Sequence, residues 1–139
     1  MATFNKFNVF VENLAEGVHN LQTGALTVAL CAAANAPVAT NSVLTDLTQI
    51  AYTNLSSRVL TVSSSSQTSG TYRLIINDLV LTASGAVATF RYVVIYNDTP
   101  TSPADPLIGW ADYGQDVTLA NGETFTLDFD NVNGLLSLV

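Results

Sequence analysis

The sequence predicts a mainly β protein: an antiparallel β-sandwich or jelly-roll-like domain carrying one N-terminal amphipathic helix. Three observations predict it. About eight short apolar runs are separated by turn-forming residues at near-regular spacing, as in sandwiches and jelly rolls. Helical periodicity is confined to the opening residues. The 139 residues make a single domain, 1–139, long enough to bury a sizeable core without disulfides or metals.

The helix is expected over about 4–21. Phe4, Phe7, Val11, Leu14, Val18 and Leu21 recur at spacings of three and four and form one apolar stripe. Thr3 or Asn5 can cap its start, and Asn20 with Gly24 closes it. Glu12, Glu16 and His19 fall mostly off the stripe. Packing in cis across the sandwich is expected, because a sandwich of this size otherwise exposes an apolar patch large enough to aggregate.

From about 25 to 139 the period is that of strands. Ala25 to Ala33 is an apolar run bounded by Gly24 and Asn35-Ala36-Pro37, which suits a buried strand. Residues 38–57 fit either a helical turn or an irregular edge strand. Arg58 to Ser63 reads as a strand, and the serine-rich 63–70 as a loop or the solvated end of a β-ribbon. Tyr72–Ile76 and Leu79–Thr82 flank Asn77-Asp78, which marks a bulge or tight turn.

Thr89–Asn97 is apolar on both faces, with Phe90, Tyr92, Val94 and Tyr96 opposite Arg91, Val93 and Ile95, so it reads as a central strand. Asn97–Pro106 carries three prolines and is a loop. Leu107–Tyr113 is a strand holding the single tryptophan, Trp110. Val117–Leu119 and Thr124–Asp130 are expected to pair as a hairpin across Asn121-Gly122. In the second of these, Phe125, Leu127 and Phe129 point inward while Thr124, Thr126, Asp128 and Asp130 point out. Asn133-Gly134 turns the chain once more into Leu135–Val139.

Composition narrows the function classes. Four Lys and Arg against eleven Asp and Glu give a net charge of −7. A sequence pI near 4.1 disfavours nucleic acid, whose phosphates need Lys and Arg, and docking on anionic membranes. No apolar stretch approaches the ~20 residues of a spanning helix. The first residues lack a basic segment followed by an apolar run, so no signal peptide is expected. Only 11% of residues are charged, and the polarity comes instead from 17 Thr, 11 Ser and 12 Asn. Lys and Glu are depleted at protein–protein interfaces, and here there are one Lys and three Glu. A surface largely covered by other subunits and a neutral β-domain surface both fit this balance.

No catalytic, cofactor-binding or metal-ligating residue is assigned. His19 is the sole histidine, no Gly-x-Ser-x-Gly elbow accompanies it, and a solvated or capping role on the helix is expected. Cys31 should be a buried, inert thiol. Asp128, Asp130, Asn131 and Asn133 before Gly134 resemble a calcium loop only faintly, because Val132 and Val139 stand where oxygen ligands belong. Asp128 and Asp130 on one strand face have about the separation of a glycosidase pair, but such pairs normally come from different elements. Tyr92, Tyr96, Trp110 and Tyr113 fit either a sugar platform or core and corner positions. Asn54-Leu55-Ser56 and Asn97-Asp98-Thr99 match the glycosylation sequon, which matters only in a eukaryotic secretory protein.

Several stretches together resemble a family of small structural proteins of tailed bacteriophages. They are Phe4-Asn5-Lys6-Phe7, Leu14 to Leu21, Ala36 to Asn41, Phe90 to Asp98, Leu107 to Gly114 and Asn121 to Phe129. The match spans most of the chain and is weakest over Leu55–Ser69. The resemblance implies a non-enzymatic virion protein made in the host bacterial cytoplasm, most simply a capsid decoration protein on the major capsid protein lattice. A tail or neck component, or a carbohydrate- or receptor-binding sandwich, is the alternative. The expected partners are the major capsid protein or other virion proteins and further copies of the chain, with no nucleic acid, membrane or cofactor.

Overall fold

The computed structural model describes residues 2–139 and is mainly β, with antiparallel sheets and one α-helix. Strand β1 (Phe4–Lys6) leads into helix α1 (Asn8–Ala15). There follow β2 (Leu26–Cys31), β3 (Val62–Thr68), β4 (Thr71–Ile76), β5 (Leu79–Thr82), β6 (Phe90–Asn97), β7 (Leu107–Val117), β8 (Thr124–Leu127) and β9 (Leu136–Leu138). They form a four-stranded sheet in the order β1-β7-β6-β2, a three-stranded sheet β3-β4-β9 and a pair β5-β8.

The main core lies between the four-stranded sheet and the other two. Leu26, Val28 and Leu30 of β2, Val93 and Ile95 of β6 and Ile108 of β7 pack with Leu74 and Ile76 of β4, Leu81 of β5 and Leu127 of β8. This is a sandwich-like arrangement. A second cluster of Ala29, Cys31, Val94, Tyr96 and Leu107 occupies the outer face of the four-stranded sheet, under Phe7, Val9, Leu44 and Leu47. The doubly apolar pattern of β6 thus has a cover on each side, and β6 is central, between β7 and β2.

A bulge makes the outer cluster possible. Ile95 pairs with Gly109 and Tyr96 with Leu107, so Ile108 is the extra residue. The bulge resets the alternation, and Leu107 and Trp110, three apart, both join the outer face while Ile108 turns into the main core. Gly109 is required here: a Cβ would stand 2.6 Å from the Asn5 carbonyl oxygen and closer still to the Phe4 ring. Nearer the end of β7, Tyr113–Asp116 lie opposite Arg91 alone, and Gly114 at φ +91° absorbs the excursion.

The helix is shorter than its periodicity predicts. Residues 4–6 pair with β7, Phe4 opposite Ala111, and Gly17 stops the helix from the other side. Gly17 takes φ +77°, its N–H bonds to Leu14 O, and the Val18 N–H bonds to Asn13 O, which is a Schellman closure. The buried face is accordingly Phe7, Phe10 and Asn13, and Val11, expected on the stripe, is exposed. The segment does dock in cis, with Phe7 fully buried.

Two further expectations are corrected. The strand expected over Arg58–Ser63 begins only at Val62, and Arg58–Thr61 is irregular. The serine-rich stretch is the solvated end of a β-ribbon, as one of its two readings had it, with β3 paired to β4 and a register shift between Val62 and Ser64. Asn121-Gly122 makes a turn, but no hairpin: β8 pairs with β5, Leu79 opposite Leu127. Asn77-Asp78 likewise carries the chain from one sheet to another, because β4 pairs with β3 and β9. Leu127 is buried as expected, Phe125 and Phe129 are half-buried against the core, and Asp128 is exposed.

Leu127→Ala is expected to cost about 2–5 kcal/mol, from lost burial and the cavity left behind. Asp128→Asn is expected to change stability by less than about 0.5 kcal/mol. Urea melts of the two variants check this, and equal losses would contradict the inward placement of Leu127.

Candidate functional site

The side chains with chemical potential are engaged in holding the fold. His19 lies in the turn after α1, not on the helix, and is buried rather than solvated. Its ring packs on Phe10 with centroids 5.3 Å apart. The Thr99 N–H donates to Asn97 Oδ1 at 3.1 Å, which turns Asn97 Nδ2 toward His19 Nδ1 at 3.3 Å. Nδ1 is therefore the acceptor, and the proton of the neutral ring sits on Nε2. Burial holds the imidazole below its ordinary value of 6.5. Cys31 is buried in the outer-face cluster, and burial pushes its thiol up to about 11. Such a thiol is largely protonated near neutral pH and a poor nucleophile.

Asp128 and Asp130 do not form a pair on one strand face, because β8 ends at Leu127. Asp130 accepts bonds from the Val132 and Asn133 N–H groups and from Asn133 Nδ2, each at 2.8 Å. These bonds to Asn133 and Val132 lower its carboxyl below the usual range. Its oxygens close the turn that Gly134 completes. The four aromatic candidates also part company. Trp110 stacks on Phe7 at 4.5 Å, Tyr92 and Tyr96 join the same covered cluster, and only Tyr113 is exposed, edge-on to Phe125 at 5.0 Å. They make no common sugar platform. Of the two sequons, Asn97 is buried beneath His19.

Two constellations escaped sequence reasoning. The Arg58 guanidinium sits 3.6 Å over the Tyr52 ring and donates to the Val28 carbonyl. Tyr52 in turn accepts the Leu30 N–H at 3.0 Å and donates to Gln49 Oε1 at 2.6 Å. Together with bonds from the Val28 N–H to Arg58 O and from the Leu60 N–H to Leu26 O, they seal the outer edge of β2. Arg91 and Asp112 form a two-pronged ion pair at 2.8 and 3.0 Å. It is a third or more exposed, so it contributes little to stability. Neither had a motif to announce it, because each joins positions far apart in the chain.

Two surface depressions stand out among the described residues. A shallow one of about 560 Å³ lies among His19, Gln22, Ser65, Gln67 and Tyr72. The deeper, more apolar one, of about 490 Å³, separates β1 and β7 from β8 and the turn after it. Phe4, Val93, Ala111, Phe125 and Leu135 line it, with Tyr113, Asp128 and Asp130 also on its walls. It is the seam of the sandwich, since β1 has β7 as its ladder partner and β8 has β5. This groove is the candidate functional site, and its chemistry is apolar contact beside carboxylates.

No family model matches this chain, and no curated protein or solved structure matches it either.

Because the folded state disfavours the His19 proton, the unfolded chain binds more protons once the pH drops below about 6.5. Stability is therefore full above that value and falls as the pH is lowered through it, by at most about 1.4 kcal/mol per pH unit. Denaturant melts between pH 5 and 7 should show this slope, and His19→Gln should flatten it.

Proposed function

We propose that this chain is a non-enzymatic structural protein of a tailed-bacteriophage particle, a capsid decoration protein bound to the major capsid protein lattice. The observation that carries the reading is where the polar chemistry goes. His19 and Cys31 are buried, Asp130 and Arg58 are committed to hydrogen bonds within the chain, and the surface that remains is rich in hydroxyl and amide groups around one apolar groove. Such a surface suits close apposition to other subunits, because few charges must be desolvated when it is covered. The resemblance over Phe90–Asp98, Leu107–Gly114 and Asn121–Phe129 supports the virion assignment. Among the described residues, no helix is long and apolar enough to cross a membrane.

On this reading the partners are the major capsid protein and further copies of the chain, and each stable contact buries on the order of 1,200 Å² or more. Mass spectrometry of purified particles should detect the protein in fixed stoichiometry to the capsid protein. Cryo-EM should place it in contact with neighbours over an area of that order. Density at the tail or neck would move the assignment there, and absence from the particle would end it.

A further inference from the structure

We infer that the groove between β1 and β8 takes up an extended segment of a partner protein, apolar at alternate positions and carrying Lys or Arg, as an added strand on the free edge of β8. The proposal stands on the geometry of the seam and does not need the virion reading.

The first argument is the direction of the β8 backbone. In an antiparallel pair, successive residues aim their N–H and C=O groups alternately toward and away from the partner strand. Thr82 aims away from β8, because its carbonyl accepts the Ser56 N–H and its N–H reaches Ser56 Oγ at 2.8 Å. The neighbouring bond, from the Ala83 N–H to Glu123 O, fixes the same phase. Leu79–Leu127 and Leu81–Phe125 are then the hydrogen-bonded pairs with β5. Thr124 and Thr126 must present their N–H and C=O groups on the opposite edge, where both residues are exposed. That edge is a template for one more strand.

The second argument is what lies beside it. A strand added there places every other side chain over the groove, against Phe4, Phe125 and Leu135. The apolar lining thus selects alternation, and the free edge supplies the backbone bonds.

The third argument, charge, chooses between occupants. Asp128 is exposed at the groove, while Asp130 beside it is committed to its own turn. A second copy would bring its own Asp128 and a net charge of −7 against −7. A basic segment meets attraction at the same place.

The test is a titration of the isotope-labelled full chain, followed by NMR, with the peptide Lys-Val-Thr-Val-Lys-Val-Thr. A matched peptide with Glu in place of Lys serves as the comparison. Saturable shifts confined to Phe4, Ala111 and Thr124–Asp130 are expected, with the Glu peptide about tenfold weaker or worse. Asp128→Lys should weaken the Lys peptide by about the same factor. Thr126→Pro removes one outward N–H, which an edge strand tolerates, and should also weaken binding. If that variant does not fold, Asp128→Lys alone decides. No saturable shift up to about 5 mM peptide, equal binding of the two peptides, or shifts elsewhere would overturn the proposal. So would concentration-dependent broadening of Thr124–Asp130 without peptide, which identifies a second copy as the occupant.

Discussion

The structure depends on one constraint: the central strand β6 is apolar on both faces and must be covered on both. Val93 to Asn97 are five consecutive buried residues. One face is served by the second layer, β4, β5 and β8, through Leu74, Leu81 and Leu127. The other is served by material that is not sheet at all: Phe7 and Val9 at the start of α1 and the short turn around Leu44 and Leu47. The N-terminal segment is therefore a lid on the sheet's outer face, and the fully buried Phe7 ring is its anchor. Truncating a buried phenylalanine typically costs about 3–5 kcal/mol, a large part of a small domain's total.

The same constraint sorts the strand edges. A sheet covered on both faces still exposes backbone at its two ends. The β2 end is closed by the 50–60 segment, with Arg58 and Tyr52 satisfying carbonyl and N–H groups that no strand reaches. The β1 end is only three residues long, which itself limits pairing. The seam between β1 and β8 is left open, and the apolar groove lies there.

Buried polarity is concentrated where α1 hands over to β2. Asn13, His19 and Asn97 are all buried, and Asn13 Nδ2 and His19 Nε2 have no hydrogen-bond partner within the described residues. A donor buried unpaired typically costs about 1–3 kcal/mol. The compensating contacts are the Phe10–His19 ring packing and the Asn97 bridge, which pin the 17–24 turn to the end of β6. Asp105, a little further along the 97–106 loop, is pushed up by burial and by the neighbouring Asp98 carboxyl. Nothing in the one-dimensional pattern marks either place. His19 falls off the apolar stripe and so reads as solvated, although its burial comes from the turn that Gly17 starts.

What the sequence determined by itself was local. Alternation placed β2, β4, β5, β6 and β8 within a few residues, and the two apolar faces of β6 identified it as central, because side-chain period and burial are properties of a strand on its own. Cys31 read correctly as buried for the same reason. The pairing of those strands was decided by tertiary structure. Asn121-Gly122 is a good hairpin turn, yet β8 leaves its neighbour and joins β5, where Leu127 enters the main core and Phe125 packs against it. Residues 4–6 carry helical spacing but become a strand, because β7 offers them backbone partners that a helix end lacks. The candidate groove belongs to this second class. Its lining comes from Phe4, Val93, Ala111, Phe125 and Leu135, positions up to 131 residues apart, and a concave surface exists only once distant segments have met.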